Sequence, residues 1–232
     1  MGSGATLLLA ACSGADEGST ATTTSTVRTS ARLPADPFLL GVASGDPAAD
    51  SVVLWTRLAP RPLADDGTSG MADDAVDVQW QVATDDRFTS IVGEGVATAE
   101  PDHGHSLHVI ADGLDPASSY HYRFTVGDFT SPVGRTRTLA APGDPVDRFR
   151  LAVANCQWYE AGTYAAYRHL AEEEDLDLVL HLGDYIYEYA AGNGDRRSAP
   201  DHEVRTLPDY RLRYASYKVD PDLQAAHAAV PV

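Results

Sequence analysis

Three residues of this chain carry chemistry that a solvated loop has little use for: the thiol of Cys156, the carboxylate of Asp184 and the phenol of Tyr187. Asp184 closes the apolar run Leu176–Leu182 at Gly183-Asp184, and Tyr187 follows it by three positions in Asp184-Tyr185-Ile186-Tyr187-Glu188-Tyr189. A carboxylate can bridge two cations, a phenolate suits a hard trivalent ion such as Fe(III), and a thiolate suits a softer site. His181, just ahead of the glycine, either lies near such a cluster or packs beneath it. The same residues also have an ordinary structural explanation. An Asp after Gly caps a turn, a free cysteine fills a small apolar gap, and Tyr185, Tyr187 and Tyr189 serve as core or interface aromatics. Spacing alone leaves both readings open.

What brings Cys156 and Asp184 together is a strand–helix–strand unit. Phe149–Ala154 reads as a strand leading into Asn155-Cys156-Gln157, and Tyr159–Glu174 has Tyr164, Tyr167 and Leu170-Ala171 at helical spacing. Leu176–Leu182 is nearly continuous in Leu and Val, the pattern of a strand covered on both faces. The second strand should run parallel to the first. Ligands of open α/β sheets sit beyond the carboxyl ends of such strands, where Asn155-Cys156 and Asp184 fall.

Before this unit the signals are those of an antiparallel sandwich. Phe38–Ser44, Ser51–Arg57, Val76–Val82, His105–Ala111, Tyr120–Val126 and Thr130–Thr138 are β-branched, aromatic or alternating, and turn clusters such as Gly45-Asp46-Pro47 and Gly127-Asp128 separate them. No long helical period intervenes, which suggests an immunoglobulin or fibronectin type over residues 37–142. Leu114-Asp115-Pro116 through Tyr120 resembles the fibronectin-like corner in which a tyrosine braces a loop. The Pro/Gly-rich stretch Ala140–Pro145 then marks a boundary, with the α/β part from 146 to 232.

Residues 1–36 read as an export signal and tether. The short apolar run Ala5–Ala11 ends in Leu9-Ala10-Ala11-Cys12, the spacing of a bacterial lipoprotein cleavage site with Cys12 as the lipidated residue. A Ser/Thr/Ala/Gly tract follows. The basic segment expected ahead of the run is missing, which points to a start further upstream. With Cys12 used in this way, Cys156 has no partner for an internal disulfide.

Of the 232 residues 44% are hydrophobic and 22% charged, an ordinary globular composition, with a formal net charge of −17 and Lys218 as the only lysine. Such a surface repels nucleic-acid backbones and anionic lipid. An anionic substrate therefore needs bound cations or a few placed arginines, and membrane attachment is expected only through Cys12.

Phe38–Pro60 (FLLGVASGDPAADSVVLWTRLAP) and Phe149–Tyr189, with NCQWYEAG and GDYIYEY, resemble the alkaline phosphatase D (PhoD) family of metallophosphoesterases. The resemblance runs from about Phe38 to the last residue. It implies a β-sandwich followed by an α/β/β/α catalytic domain, and hydrolysis of phosphate mono- or diesters by a metal-activated hydroxide for phosphate scavenging outside the cell. It further implies Fe(III) and Ca(II), with Cys156 on iron, Asp184 bridging iron and calcium, and Tyr187 as the iron phenolate. Asn155 stands where the family often has Ser.

The family's later metal ligands, including a Trp-Asp-Asp-His-Glu type motif, have no counterpart here. Asp201-His202-Glu203 precedes the helix start at Arg205–Arg211, whereas that motif follows a strand expected near Val230, so His202 is read as a loop residue. The α/β domain is accordingly expected to be truncated and inactive alone. Arg196-Arg197 reads as a solvated turn rather than a phosphate clamp. The alternative function is a non-catalytic surface module carrying a degenerate α/β remnant.

Overall fold

The computed structural model describes residues 33–192, 194 and 196–232; Cys12 and most of the tether lie outside them. Eight strands come first: β1 (Val42–Gly45), β2 (Val52–Arg57), β3 (Val76–Ala83), β4 (Ile91–Ala99), β5 (Ser106–Ala111), β6 (Ser119–Val126), β7 (Phe129–Thr130) and β8 (Gly134–Arg137). They form two antiparallel sheets, ordered β1-β2-β5 and β4-β3-β6-β7, with β8 also on β6. The period-two pattern decides which side faces in. On β6, Tyr120, Tyr122, Phe124 and Val126 are buried while the residues between them are not. They meet Val42, Val52, Leu54, Leu107 and Val109 from the other sheet in one core. Burying each such side chain is worth about 1.5–3 kcal/mol. The corner brace is present, the Asp115 amide donating to the Tyr120 hydroxyl at 2.8 Å.

Three strand assignments in the sandwich differ from the sequence expectation. β1 starts only at Val42, because Phe38–Gly41 is a turn in which the Gly41 amide donates to the Phe38 carbonyl at 2.9 Å. β4 goes unmarked in sequence because glycines interrupt it, and their reason is steric: a Cβ on Gly95 would lie 2.9 Å from the Trp80 indole across the strand pair. Thr130–Thr138 is not one strand but β7 and β8, split at Ser131-Pro132-Val133, where proline has no amide to donate to a ladder.

The remainder is α/β. β9 (Leu151–Ala154) and β10 (Leu178–His181) pair in parallel, Leu151 beside Leu178 through Ala154 beside His181. Helix α1 (Ala165–Glu172) links them and is shorter than Tyr159–Glu174. A 3-10 turn at Tyr159–Ala161 and Gly162, at φ 149°, take up the first part. β10 is not covered on both faces: Val179 is 2% exposed, but Leu180 and Leu182 are 41% and 66% exposed. The crossover helix makes few contacts with these two strands and does not cover them.

Two further helices follow, α2 (Leu207–Lys218) and α3 (Pro221–Ala229). α2 opens with a capping box between Thr206 and Asp209. Those backbone hydrogen bonds from Thr206 and Arg205 hold the Asp209 carboxyl well below its ordinary range. Asp220 caps α3 by accepting from the amides of Asp222 and Leu223. Where a strand was expected near Val230, α3 runs to Ala229 and only the last residues are extended. The Val179 amide donates to Pro231 at 2.9 Å, and the Val232 amide to Ser44 at 2.8 Å, joining β10 to the sandwich. Buried Arg57 ties the two parts from the other direction, donating to Gly104, to Arg211 on α2 and to Ser69. Among the described residues no helix is long and apolar enough to cross a membrane.

Candidate metal centre

The parallel register carries past the ends of β9 and β10. Leu182 donates to Ala154 at 2.9 Å, Cys156 to Gly183 at 3.1 Å and Gln157 to Asp184 at 3.1 Å, so the two exit loops travel together for three more residues. Both then turn in the same unusual way. Cys156 and Asp184 each adopt φ 51°, the left-handed region, with Gly183 at φ 119°. A cysteine there costs of order 1 kcal/mol or more, and such strain clusters at functional sites.

These turns aim the side chains at one another. The Cys156 thiol lies 3.5 Å from Asp184 Oδ2, and the Tyr187 hydroxyl donates to the same oxygen at 3.0 Å. The structure thus brings Cys156, Asp184 and Tyr187 into one solvent-facing cluster. Partial desolvation, followed by the hydrogen bonds to Asp184 and Cys156, pushes the Tyr187 phenol above its ordinary value. All three groups are donors that become anionic, and sulfur, carboxylate and phenolic oxygen suit a ferric ion and a neighbouring hard cation. Three donors leave coordination positions open. Among the described residues, no cluster of three or more His, Cys, Asp and Glu side chains is placed to hold an ion.

His181 sits below the cluster rather than in it. Its Nδ1 accepts from the Gly183 amide at 3.4 Å, its ring packs edge-on against Tyr185 at 5.1 Å, and burial lowers its pKa against the opposing pull of Asp184. His202 is a loop residue, its Nε2 lying 3.2 Å from Asp209 in the capping box of α2.

The residues that hold the loops were not evident in sequence. Gln157 is buried; its Nε2 donates to the Tyr185 carbonyl at 2.7 Å, while its side-chain and backbone oxygens accept from Tyr167 at 2.5 Å and Tyr164 at 2.7 Å. The Tyr217 hydroxyl accepts from the Tyr187 amide at 3.3 Å. Arg213, fully buried on α2, donates to the carbonyls of Tyr187, Tyr189, Ala199 and Pro200. Glu160 accepts from Gly192 and Ser198. Burial works against its charge, but those hydrogen bonds outweigh burial and lower its pKa. A polar residue type gives no sign in sequence that it is buried; the only hint was the density of aromatics around it.

Arg196 departs from the solvated turn expected of Arg196-Arg197. Its guanidinium lies 3.9 Å over the Tyr159 ring and 4.6 Å over Tyr164, and it pairs with Asp220 at the start of α3. Arg197 is exposed.

Residues 21–140 match the PhoD-like phosphatase N-terminal domain, and residues 151–232 match the PhoD-like phosphatase domain. Alkaline phosphatase D of Bacillus subtilis (strain 168) is 54% identical over 200 residues, which cover 84% of this chain and 34% of that protein. A solved structure titled "Structure of PhoD" superposes with a TM-score of 0.82 at 53% identity, covering 87% of this chain and 39% of that one. The chain therefore spans between about a third and two-fifths of the relatives it matches. Matched over both its sandwich and its α/β part, the chain belongs to the PhoD-like phosphatase family.

Proposed function

We propose that the full-length protein is a phosphoric ester hydrolase whose reaction depends on metal ions, with Cys156, Asp184 and Tyr187 as part of the metal site. The observation that carries this is the convergence of a thiol, a carboxylate and a phenol on one point at the tips of two parallel strands. In this reading the α/β part belongs to an α/β/β/α metallophosphoesterase domain. Cys156 and Tyr187 would hold Fe(III), and Asp184 would serve it together with a Ca(II), which takes oxygen donors.

Bound there, such cations would polarise a phosphoryl group and lower the pKa of water. The chain's own residues supply position and access. Gln157 locks the Cys156 loop to the Asp184 loop, and Arg213 and Tyr217 fix the backbone of Tyr187. Cys156 and Asp184 face solvent, so an ester can approach them. The net charge of −17 disfavours an anionic ester until the cluster's own negative charge is neutralised, which makes cation loading a condition for substrate binding. Export, anchoring through lipidated Cys12 and a part in releasing phosphate outside the cell belong to the same proposal.

The test uses the full-length protein. Purified material is expected to contain iron and calcium and to hydrolyse p-nitrophenyl phosphate at alkaline pH; Cys156→Ala is expected to lose iron and at least a hundredfold in rate, in line with removal of a group that fixes a catalytic ion. Activity that survives both chelation and this substitution overturns the proposal.

A further inference from the structure

At the candidate centre three aromatic rings lie next to one another. The Trp158 ring is 6.3 Å from Tyr187 and tilted by 47°, and the Tyr189 ring is 6.4 Å from Tyr187 and nearly parallel, at 25°. Two of them face water: Trp158 is 54% exposed and Tyr189 is 73% exposed. Single exposed apolar residues are ordinary, but a contiguous group of large rings on a soluble face marks a contact surface.

This group is continuous with the chemistry. The Tyr187 hydroxyl is bonded to Asp184, so its ring reaches from the donor cluster toward Trp158, and the Trp158 amide donates to the Cys156 carbonyl at 3.0 Å. The Trp158 backbone is thereby pinned to the Cys156 loop while its indole is left free. The cationic side chains close by are spent elsewhere: Arg196 on Asp220 and two tyrosine rings, Arg213 on loop carbonyls, and Lys218 inside the protein. Beside the donors, this part of the described surface exposes the rings of Trp158 and Tyr189 together with the polar side chains of Asn155 and Glu188. With a net charge of −17, it favours an uncharged flat group over a second anion.

We infer that Trp158, with Tyr189, forms a stacking platform for the alcohol portion of the ester, so that the protein prefers phosphate esters whose leaving group carries a flat ring. The inference rests on the phosphoesterase reading above and deepens it. A phosphoryl group bound by cations at Asp184 would bring its alcohol portion next to these rings, and an aryl group lying over the indole would do so at the usual 4.5–7 Å ring separation. Stacking of this kind is worth about a threefold to tenfold change in affinity.

Binding of two non-hydrolysable probes to the full-length, metal-loaded protein tests it by calorimetry. Phenylphosphonate and methylphosphonate share the phosphoryl group and differ in the ring. The wild type is expected to bind the phenyl compound about threefold to tenfold more tightly; Trp158→Ala should erase that preference, and Trp158→Phe should keep most of it. Equal affinities in the wild type, or a preference unchanged in Trp158→Ala, overturn the platform. Iron content and the thermal midpoint of the variants separate a lost ring from a damaged loop. If neither compound binds while iron is present, the platform fails. If iron is absent and p-nitrophenyl phosphate is not hydrolysed, the phosphoesterase reading fails and takes the platform with it.

Discussion

Arg213 shows how much of the candidate centre is decided away from it. From the middle of α2 its guanidinium donates to the carbonyls of Tyr187 and Tyr189 on one loop and of Ala199 and Pro200 on another, although burial lowers its pKa. The bond to Pro200 is buried and the others are partly buried, so removing the donor leaves these carbonyls with all or part of the cost of an unmade bond, about 1–3 kcal/mol where it is complete. Arg213→Met is expected to destabilise the protein by about 3 kcal/mol or more and to loosen the Tyr187 loop. Denaturant unfolding combined with hydrogen exchange over residues 186–190 measures both effects. A loss under about 1 kcal/mol with unchanged exchange would mean that Arg213 does not hold this loop. Gln157 acts alike on the Cys156 side, where two buried tyrosine hydroxyls donate to it. Burial pushes the Tyr167 phenol up to about 12, so it stays a proton donor to Gln157 through the alkaline range.

At the scale of elements, the fit between strands is as demanding as the fit around the donors. Gly134 on β8 lies against the fully buried Tyr122 ring on β6, and a Cβ there would sit 2.3 Å from the ring carbon bearing the hydroxyl. Gly134→Ala is therefore expected to cost about 1–3 kcal/mol, as overpacking does. Gly113→Ala, with no atom within 4 Å of its Cβ, bears only the strain of its positive φ and serves as the reference. Comparing their thermal midpoints checks this, and equal shifts would contradict it. The same contrast explains what was legible in sequence. β2, β3, β5 and β6 alternate or are rich in β-branched residues because one face is buried, and that pattern reads directly. β4 was not legible because Gly93 and Gly95, the second of which yields its place to Trp80, blank out the pattern. Cys156, Asp184 and Tyr187 could be picked out because their residue types sit at strand ends. The left-handed turns that aim the first two, and the Gln157 and Arg213 bonds that fix the loops, depend on contacts that no spacing announces.

For the molecule as a whole, the sandwich and the α/β part meet around a buried amine. Lys218 at the end of α2 has its Nζ 3.1 Å from His227 Nδ1 on α3 and 5.1 Å from the Trp55 ring on β2, and burial pushes its pKa from 10.5 down to about 7. The folded protein thus releases a proton that the unfolded chain keeps between about pH 7 and pH 10. In that window the unfolded state binds more protons, so stability rises with pH, by at most about 1.4 kcal/mol per unit, and below pH 7 the penalty stays constant. Lys218→Met should flatten this rise in denaturation midpoints compared at pH 7 and pH 9.5; an unchanged slope would show that the amine stays charged in its site. The stability of the junction therefore favours alkaline conditions, the range in which the proposed hydrolysis is to be assayed. If, as proposed, the tips of β9 and β10 hold an ion through sulfur, iron K-edge absorption of the full-length protein should detect it. A sulfur scatterer is expected in the first shell and should disappear in Cys156→Ala. An iron shell of oxygen and nitrogen alone, unchanged by that substitution, would contradict the proposal.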